Sequence, residues 1–423
     1  MGQGNPLLEY FPEIAQVEKA SLGLKGVAVP TPLGHNLRLS REFDATISIK
    51  REDLQSVRSY KIRGAYNKIA SLSEEERARG VVCASAGNHA QGVAYACNLL
   101  NIKGTIFMPS TTPKQKIEQV RMFGEQWVEI VLKGDVFDDA KHLAEEYAEE
   151  TGSTPVHPFD DPLVIEGQGT VGLEILRSSD SPIDYLFLPV GGGGLAAGVS
   201  AVFQHLSPHT KVIGVEPVGA QAMARSLEKG ERVVLDEVDK FVDGAAVRSV
   251  GGLNFEICKR TLHDVAAVDE GEVCRTILSL YNRDAIVAEP AGALSIAVLS
   301  HYREEIKGKN VVCVLSGSNN DISRMEEIKE RALLHSGLKH YFLVNFPQRA
   351  GALKEFVVKV LGPDDDITYF QYTKKTARET GAAVVGVELQ KQADFEPLLE
   401  RMKTLHFYGG YLNENLGYLQ LLT

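Results

Sequence analysis

Between about residues 80 and 316, short apolar runs alternate with stretches of helical periodicity. The runs are almost continuously apolar, which is typical of strands buried on both faces of a parallel sheet. The alternation therefore predicts an α/β fold in which helices cover parallel sheets, with ligands at the carboxyl ends of the strands. The predicted strands are 81–85, 104–110, 128–134, 184–191, 211–217 and 310–317, and the predicted helices are 87–100, 112–124 and 136–152.

The pattern changes after a charged helical stretch at about residues 320–340, which we expect to close the first unit. The segments that follow have the order β-α-β-β-α-β, with the short connections of a ferredoxin-like sandwich. We therefore predict a separate α+β domain at 339–413. Its predicted elements are a strand at 341–347, a helix at 350–362, strands at 367–375 and 381–390 around a polar turn, and a helix at 394–407.

The net charge and the cysteine content limit the classes of binding partner and the cellular compartment that we expect. The net charge of −11, with basic residues scattered among acidic ones, argues against nucleic acid as a partner. The N-terminus lacks the basic start and apolar core of a signal peptide, and no run of about 18 apolar residues is present to cross a membrane. The five cysteines are odd in number and form no CxxC, so we expect buried thiols in a cytoplasmic protein.

Four consecutive glycines, Gly191 to Gly194, lie between a predicted strand and a predicted helix. Without side chains, their N–H groups can converge on one point, and a helix N-terminus there favours an anion such as phosphate. The alternative is a flexible turn. The run is neither a P-loop, because no GK[ST] follows, nor a GxGxxG motif.

Polar residues follow other predicted strands. Free N–H groups in the stretch Ser85-Ala86-Gly87-Asn88-His89 can hold a carboxylate. Ser85 or Asn88 can instead cap the next helix, and the His89 side chain is more readily explained as structural. Ser316 also follows a predicted strand, and it is either a ligand contact or a turn serine. Glu289-Pro290 is interpreted as a helix start, with the glutamate at the positive end of the helix dipole.

Lys61, in SVRSYKIRGAY, is the remaining candidate. A lysine with its ordinary pKa of about 10.4 is protonated at neutral pH, so a nucleophilic one must be desolvated. A phosphate cradle, a carboxylate-sized nest and a reactive lysine together suit pyridoxal 5′-phosphate. No metal-ligand cluster and no hydrolase triad order are present in the sequence.

The segments SYKIRGAY, SAGNHAQG, VGGGGL, EPAGA and LSGSN, in this order and spacing, resemble the threonine dehydratases, which are tryptophan-synthase-β-like (fold type II) pyridoxal-phosphate enzymes. The resemblance covers about residues 5–325. The stretch FPQRAGALKEF and its surroundings resemble the single ACT-like regulatory domain of short biosynthetic members. The resemblance implies a catalytic domain at 1–335, with a smaller subdomain at about 55–155 inserted in it, and an ACT-like domain at 339–413.

The resemblance also implies a role for each candidate. Lys61 would bind the cofactor covalently and remove the substrate α-proton, Asn88 would bind the ring hydroxyl oxygen, and Ser316 would face the pyridine nitrogen. The substrate carboxylate would bind the backbone of Ser85, Ala86, Gly87, Asn88 and His89. The phosphate would bind Gly191, Gly192, Gly193, Gly194 and the amide of Leu195.

The activity implied is the dehydration and deamination of L-threonine to 2-oxobutanoate and ammonia, the first step of isoleucine biosynthesis, in a homotetramer inhibited by isoleucine. Two alternatives remain: a serine dehydratase or serine racemase of the same fold, and a non-catalytic amino-acid sensor. The chain departs from the family pattern at Gln348-Arg349-Ala350-Gly351, where a proline is usual, so helix entry is expected to shift. Glu216 could bind a cation, but we expect an exposed glutamate at a helix entry and no catalytic metal.

Overall fold

The computed structural model describes residues 10–372 and 380–414. The chain divides into two compact units, the first running to Asp321 and the second starting at Ile322. The helix Met325–His335 lies in the second unit, which starts earlier than the domain predicted at 339–413. One of its residues, Glu330, accepts a hydrogen bond of 2.6 Å from the Tyr341 hydroxyl.

The first unit contains two sheets and helices α1 to α13. The strands are β1 Leu33–His35, β2 Thr46–Arg51, β3 Val81–Ala84, β4 Gly104–Met108, β5 Val128–Leu132, β6 Thr154–Pro155, β7 Tyr185–Pro189, β8 Lys211–Pro217, β9 Asp264–Val268 and β10 Asn310–Leu315. The helices are α1 Ile14–Gly23, α2 Leu37–Phe43, α3 Lys61–Ala70, α4 Glu74–Arg79, α5 Asn88–Leu100, α6 Lys114–Gly124, α7 Phe137–Thr151, α8 Pro162–Ser178, α9 Gly194–Leu206, α10 Ala222–Lys229, α11 Gly252–Thr261, α12 Glu270–Asp284 and α13 Pro290–Ala297.

The larger sheet has the strand order β1-β2-β10-β7-β8-β9, and the smaller has the order β5-β4-β3-β6. All neighbouring strands are parallel except β1 and β2, which are antiparallel. The expected parallel sheets are therefore confirmed. Strands β1, β2 and β6 were not expected, because none of them is a continuous apolar run, and β9 was not expected although its last four residues are apolar.

The smaller sheet shows how helices cover both faces. Val81 and Cys83 of β3 pack in one apolar cluster with Ala90 of α5, whereas Val82 packs in another with Ala140 of α7. Successive residues of a strand point to opposite faces, so these two clusters lie on the two sides of the sheet. A strand buried on both sides needs an apolar residue at almost every position, which is the pattern in the sequence.

The second unit is a ferredoxin-like sandwich, as expected. Its antiparallel sheet has the order β12-β13-β11-β14. Helix α15 begins later than predicted, because Gly351 before it has a φ of +83°. The polar turn predicted between the two middle strands lies outside the described residues. The elements are α14 Met325–His335, β11 Lys339–Pro347, α15 Ala352–Lys359, β12 Asp366–Tyr372, β13 Thr380–Glu388, α16 Phe395–Thr404 and β14 Tyr408–Tyr411.

All five cysteines are free and buried, as the sequence predicted. Burial raises the pKa of thiols such as Cys83 and Cys313, so these side chains are protonated and unreactive. Among the described residues, every helix is too short or too polar to cross a lipid bilayer.

Candidate active site

Lys61 is the first residue of α3. Its Nζ donates a hydrogen bond of 2.8 Å to the carbonyl of Pro158. Burial lowers the pKa of Lys61 to about 8, although the carboxylate of Glu289 acts in the opposite direction. A substantial fraction of this amine is therefore unprotonated at mildly alkaline pH, which is the state that attacks a carbonyl carbon.

The loop after β3 lies beside Lys61. A Cβ on Gly92 of α5 would be 3.2 Å from the carbonyl of Lys61, so a larger residue there would require α5 and α3 to move slightly apart. Gly87 occupies the N-cap position of α5, and no side chain caps the helix. The capping interpretation of Ser85 and Asn88 is therefore wrong: Ser85 Oγ accepts from Gly87 N at 3.3 Å, and Asn88 is already the first helical residue.

The side chain of His89 is structural, as expected. The ring is buried, and Nε2–H donates to the carbonyl of Val156 at 2.8 Å. Burial lowers the pKa of His89 to about 3, and the positive charge of Lys61 adds to the effect. The imidazole of His89 is therefore neutral.

The glycine run joins β7 to α9, as the sequence predicted. Gly193 has a φ of +92° and precedes the first residue of the helix, Gly194. A Cβ on Gly192 would overlap the ring of Phe159, and one on Gly191 would be 2.9 Å from the Cα of Ala245. Side chains are thus excluded, and the first N–H groups of α9, which have no acceptor within the helix, form a site suited to an anion.

Asn254 of α11 connects the glycine run to the segment that holds Lys61. Its Nδ2 donates to the carbonyl of Gly192 at 2.8 Å and to that of Phe159 at 3.0 Å. Phe159 follows Pro158, whose carbonyl accepts from Lys61. Sequence reasoning missed Asn254 and Phe159, because neither stands in a distinctive local pattern.

Ser316 follows β10 directly and is buried. Its carbonyl accepts a hydrogen bond of 3.2 Å from the backbone N–H of Tyr60. The adjacent residues, Ser59 and Gly317, form an isolated antiparallel bridge. The end of β10 is therefore next to the segment that leads into Lys61.

Helix α13 begins at Glu289-Pro290 as predicted, but the Glu289 side chain does not interact with the helix start in the way that was expected. Glu289 is at the N-cap position of α13, and Pro290 is the first helical residue as expected, but the Glu289 side chain makes no cap bond. Its Oε1 instead accepts from Asn88 Nδ2 at 2.6 Å, and its Oε2 accepts from Asn319 N at 3.1 Å. Gly317 makes room for it, because a Cβ there would overlap the carboxylate.

Glu216, at the end of β8, is buried, so the expectation of an exposed side chain is wrong. Its two oxygens accept from the backbone N–H groups of Met223 at 2.7 Å and Ala224 at 2.9 Å, which are at the start of α10. Burial raises the pKa of Glu216 to about 7. Within residues 10–372 and 380–414, no group of three or more His, Cys, Asp or Glu is arranged to hold a metal ion.

The second unit contains a cavity of about 240 Å³ beside the turn between β11 and α15. Its lining includes Gln348, Arg349 and Gly351 from the turn, and Phe370 and Tyr372 from β12. The departure from the family pattern noted in the sequence therefore lies at the wall of this cavity.

The sequence of residues 24–317 matches the family model described as pyridoxal-phosphate dependent enzyme. The model described as the C-terminal regulatory domain of threonine dehydratase matches residues 330–422. The L-threonine dehydratase biosynthetic IlvA of Halalkalibacterium halodurans is 54% identical over 410 residues, which are 97% of this chain and 99% of the relative. The chain belongs to the threonine dehydratases.

Solved structures of this and neighbouring families have the same fold as the first unit. The processed form of threonine deaminase isoform 2 from Solanum lycopersicum is 42% identical, with a TM-score of 0.71 over 76% of this chain and 95% of that chain. Maize serine racemase is 27% identical, with a TM-score of 0.71 over 77% of this chain and 99% of that chain. The fold is thus shared by dehydratases and racemases, and it cannot by itself separate them.

Proposed function

We propose that this threonine dehydratase converts L-threonine to 2-oxobutanoate and ammonia with pyridoxal 5′-phosphate, as the first step of isoleucine biosynthesis. The observation that carries the proposal is the half-buried amine of Lys61, whose pKa is lowered to about 8. Its hydrogen bond to Pro158 places it one residue from Phe159, which packs against the glycine run at the start of α9. The sequence identity of 54% over almost the whole chain supports the same activity.

The residues fit the cofactor. Gly191 to Gly194, with the amide of Leu195, would bind the phosphate, because side chains are excluded there and the helix dipole favours negative charge. Lys61 would hold the aldehyde carbon, Asn88 the ring hydroxyl oxygen and Ser316 the pyridine nitrogen. When bound, the cofactor supplies an electron sink for the α-carbon of the amino acid.

The protein's own groups would bind and orient the substrate and transfer its α-proton. The backbone N–H groups of residues 85–89 that do not already donate within the protein would bind the substrate carboxylate and orient the α-hydrogen. Those of Ser85 and Gly87 donate to the carbonyl of Phe107 and to Ser85 Oγ. The Nζ of Lys61 would accept the α-proton, and the β-hydroxyl would leave as water. The release of nitrogen as ammonia consumes one water, so the atoms of threonine equal those of 2-oxobutanoate plus ammonia.

The hydroxyl of Ser316, if it faces the pyridine nitrogen, is a neutral partner. Unlike an aspartate, it does not favour a protonated ring, so negative charge on the α-carbon would be stabilised less. That suits an elimination, in which the leaving group departs before charge accumulates. Ser316 is buried, so a water molecule is a poor substitute for it.

The test is turnover of threonine and serine by the purified protein, together with the absorbance of lysine-bound pyridoxal phosphate. We expect ketoacid release from threonine at a higher kcat/KM than from serine, and both the absorbance and the turnover should be lost in Lys61→Ala. Turnover of threonine by Lys61→Ala at the wild-type rate would contradict the proposal. A serine racemase would instead produce D-serine, and a sensor would bind amino acids without turnover.

We further propose that isoleucine inhibits the enzyme by binding the second unit, that the enzyme is a homotetramer, and that it works in the cytoplasm. The match of residues 330–422 to a threonine dehydratase regulatory domain supports regulation of this kind. The cavity of about 240 Å³ beside Arg349 and Gly351 is large enough for part of an amino acid. Five free, buried thiols suit a reducing compartment.

A further inference from the structure

We propose that Glu289 is a positioning residue, which fixes the carboxamide of Asn88 so that its nitrogen, and not its oxygen, is presented to the cofactor. The inference rests on the proposed function, because it concerns how Asn88 meets the bound ring. It assigns to Glu289 a role that its position at the start of α13 does not suggest.

Three hydrogen bonds connect Asn88, Glu289 and Asn319 in a closed cycle. Asn88 Nδ2 donates to Glu289 Oε1 at 2.6 Å, Glu289 Oε2 accepts from the backbone N–H of Asn319 at 3.1 Å, and Asn319 Nδ2 donates to Asn88 Oδ1. Asn319 is itself held, because its Nδ2 also donates to the carbonyl of Val57 at 3.1 Å. The three residues come from α5, from the start of α13 and from the loop after β10.

This cycle of hydrogen bonds allows the carboxamide of Asn88 only one orientation. A carboxylate only accepts hydrogen bonds, and a carboxamide has two donor hydrogens on nitrogen and an acceptor oxygen. If the carboxamide of Asn88 were flipped, its oxygen would face the carboxylate of Glu289 and its nitrogen would face the donor of Asn319. In the observed orientation the oxygen is engaged by Asn319, and the second hydrogen on Nδ2 is left for a ligand.

Glu289 has this role as the carboxylate, which is its main form above about pH 7. Burial and the charge of Asp243 raise the pKa of Glu289 to about 7, whereas Asn88, Asn319 and Lys116 stabilise the carboxylate. Asp243 is itself paired with Lys116 at 2.6 Å. The carboxylate of Glu289 also interacts with the nearby amine of Lys61. Its negative charge favours the protonated amine and so acts to raise the pKa of Lys61. A carboxylate buried this deeply needs hydrogen-bond donors, and Asn88 and Asn319 supply them.

The test is a double-mutant cycle between Glu289 and Asn88, with the dissociation constant of pyridoxal phosphate from the apoprotein as the readout. A hydrogen bond to a charged group contributes about 1.5–3 kcal/mol, which corresponds to a factor of about ten or more. We therefore expect Glu289→Ala to raise the dissociation constant about tenfold. In an Asn88→Ala background the same change should alter it less than about twofold, because the residue that Glu289 positions is absent.

Two variants separate positioning from general damage. Glu289→Gln keeps an oxygen that can accept from Asn88, so its dissociation constant should stay within about threefold of the wild-type value. Glu272→Gln is the matched control: Glu272 is a buried carboxylate that accepts from Ser300 and His301, just beyond the other end of α13. It should leave the dissociation constant unchanged.

Additive effects of Glu289→Ala and Asn88→Ala, or an unchanged dissociation constant in a folded Glu289→Ala protein, would overturn the inference. If Glu289→Ala does not fold, the same cycle is run with Asn319→Ala, which removes the Nδ2 donor to the Asn88 oxygen and to the carbonyl of Val57 but keeps the backbone N–H that donates to Glu289. Additivity there has the same meaning. The proposed function is judged separately on the wild type: no cofactor uptake and no threonine turnover would defeat that function, whatever the variants do.

Discussion

Arg63 binds Glu52 through two hydrogen bonds of 2.8 Å each, and both side chains are buried. The other side of the guanidinium binds Glu174 at 2.7 and 2.9 Å. Arg63 follows Lys61 by two positions on α3, so this ionic cluster holds the start of α3 against α8 and the segment after β2. Lys61 is therefore carried on a helix whose first turn is held by charge pairs.

Arg63→Met should lower the free energy of unfolding by about 3–5 kcal/mol, because the buried carboxylate of Glu52 loses both of its hydrogen bonds to Arg63 and keeps Lys50, at 4.0 Å, as a cationic neighbour. Arg63→Lys should not restore stability, since one ammonium cannot make the paired contacts to both carboxylates. Denaturant unfolding of the holoenzyme measures the change. Arg177→Met is the control: Arg177 is exposed and pairs with Glu18 at 3.2 Å, so its loss should cost about 0–1 kcal/mol. Equal losses in the two variants would contradict the role given to the cluster.

Gly192→Ala should weaken pyridoxal phosphate binding by about tenfold or more, because the new Cβ overlaps the ring of Phe159 and the glycine run must shift. Phe159→Ala in the same chain should restore part of the affinity by removing the ring. Equilibrium titration of the apoprotein with the cofactor measures both. Gly23→Ala, at a position with open space around it, should bind the cofactor as the wild type does. Wild-type affinity in Gly192→Ala would show that the run tolerates a side chain.

The rate at which the apoprotein binds pyridoxal phosphate covalently should rise with pH, with a midpoint near pH 8, and level off above that midpoint. The reason is that burial lowers the pKa of Lys61 to about 8 and only the unprotonated amine reacts. The neighbouring histidines do not titrate in this range, because burial lowers the pKa of His89 to about 3 and that of His157 to about 4. Borohydride trapping at fixed times measures the rate.

Glu289→Gln should move the midpoint of that pH profile to lower pH. The carboxylate of Glu289 stabilises the protonated amine of Lys61, and an amide does not, so the pKa of the amine falls when the charge is removed. Glu272→Gln, which lies outside the site, should leave the midpoint where it is in the wild type. A midpoint near pH 10 in the wild type, or a shift to higher pH in Glu289→Gln, would contradict the electrostatics of the site.

Gly351→Ala should raise the isoleucine concentration needed for half inhibition by about fivefold or more. Gly351 has a φ of +83° at the wall of the cavity in the second unit, and a side chain in that backbone conformation costs about 1–2 kcal/mol. Gly337→Ala is the matched control, because Gly337 also has a positive φ, +61°, in the same unit but is not part of the lining. Equal shifts in both variants would indicate general strain and not a binding site at the cavity.

The sequence by itself determined the elements whose signal is local. Continuous apolar runs predicted six of the parallel strands, since a strand covered on both faces needs apolar residues along its whole length. Because parallel strands end at one edge of a sheet, the residues after them were expected to be near one another. Gly191 to Gly194 lie between β7 and the start of α9 as predicted. A run of glycines before a helix is a local signal, because the missing side chains leave the backbone free to turn there.

Only the tertiary structure decided which distant side chains meet. Asn88 and Glu289 are separated by 201 positions, and nothing near Glu289 in the sequence distinguishes a ligand of Asn88 from a helix cap. Glu216 was expected at the surface, but α10 folds over it and supplies two backbone donors. Asn254 and Phe159 were not predicted for the same reason. A polar or aromatic side chain acquires its role from the partners that long-range packing brings within about 3 Å. The local sequence pattern does not reveal those partners.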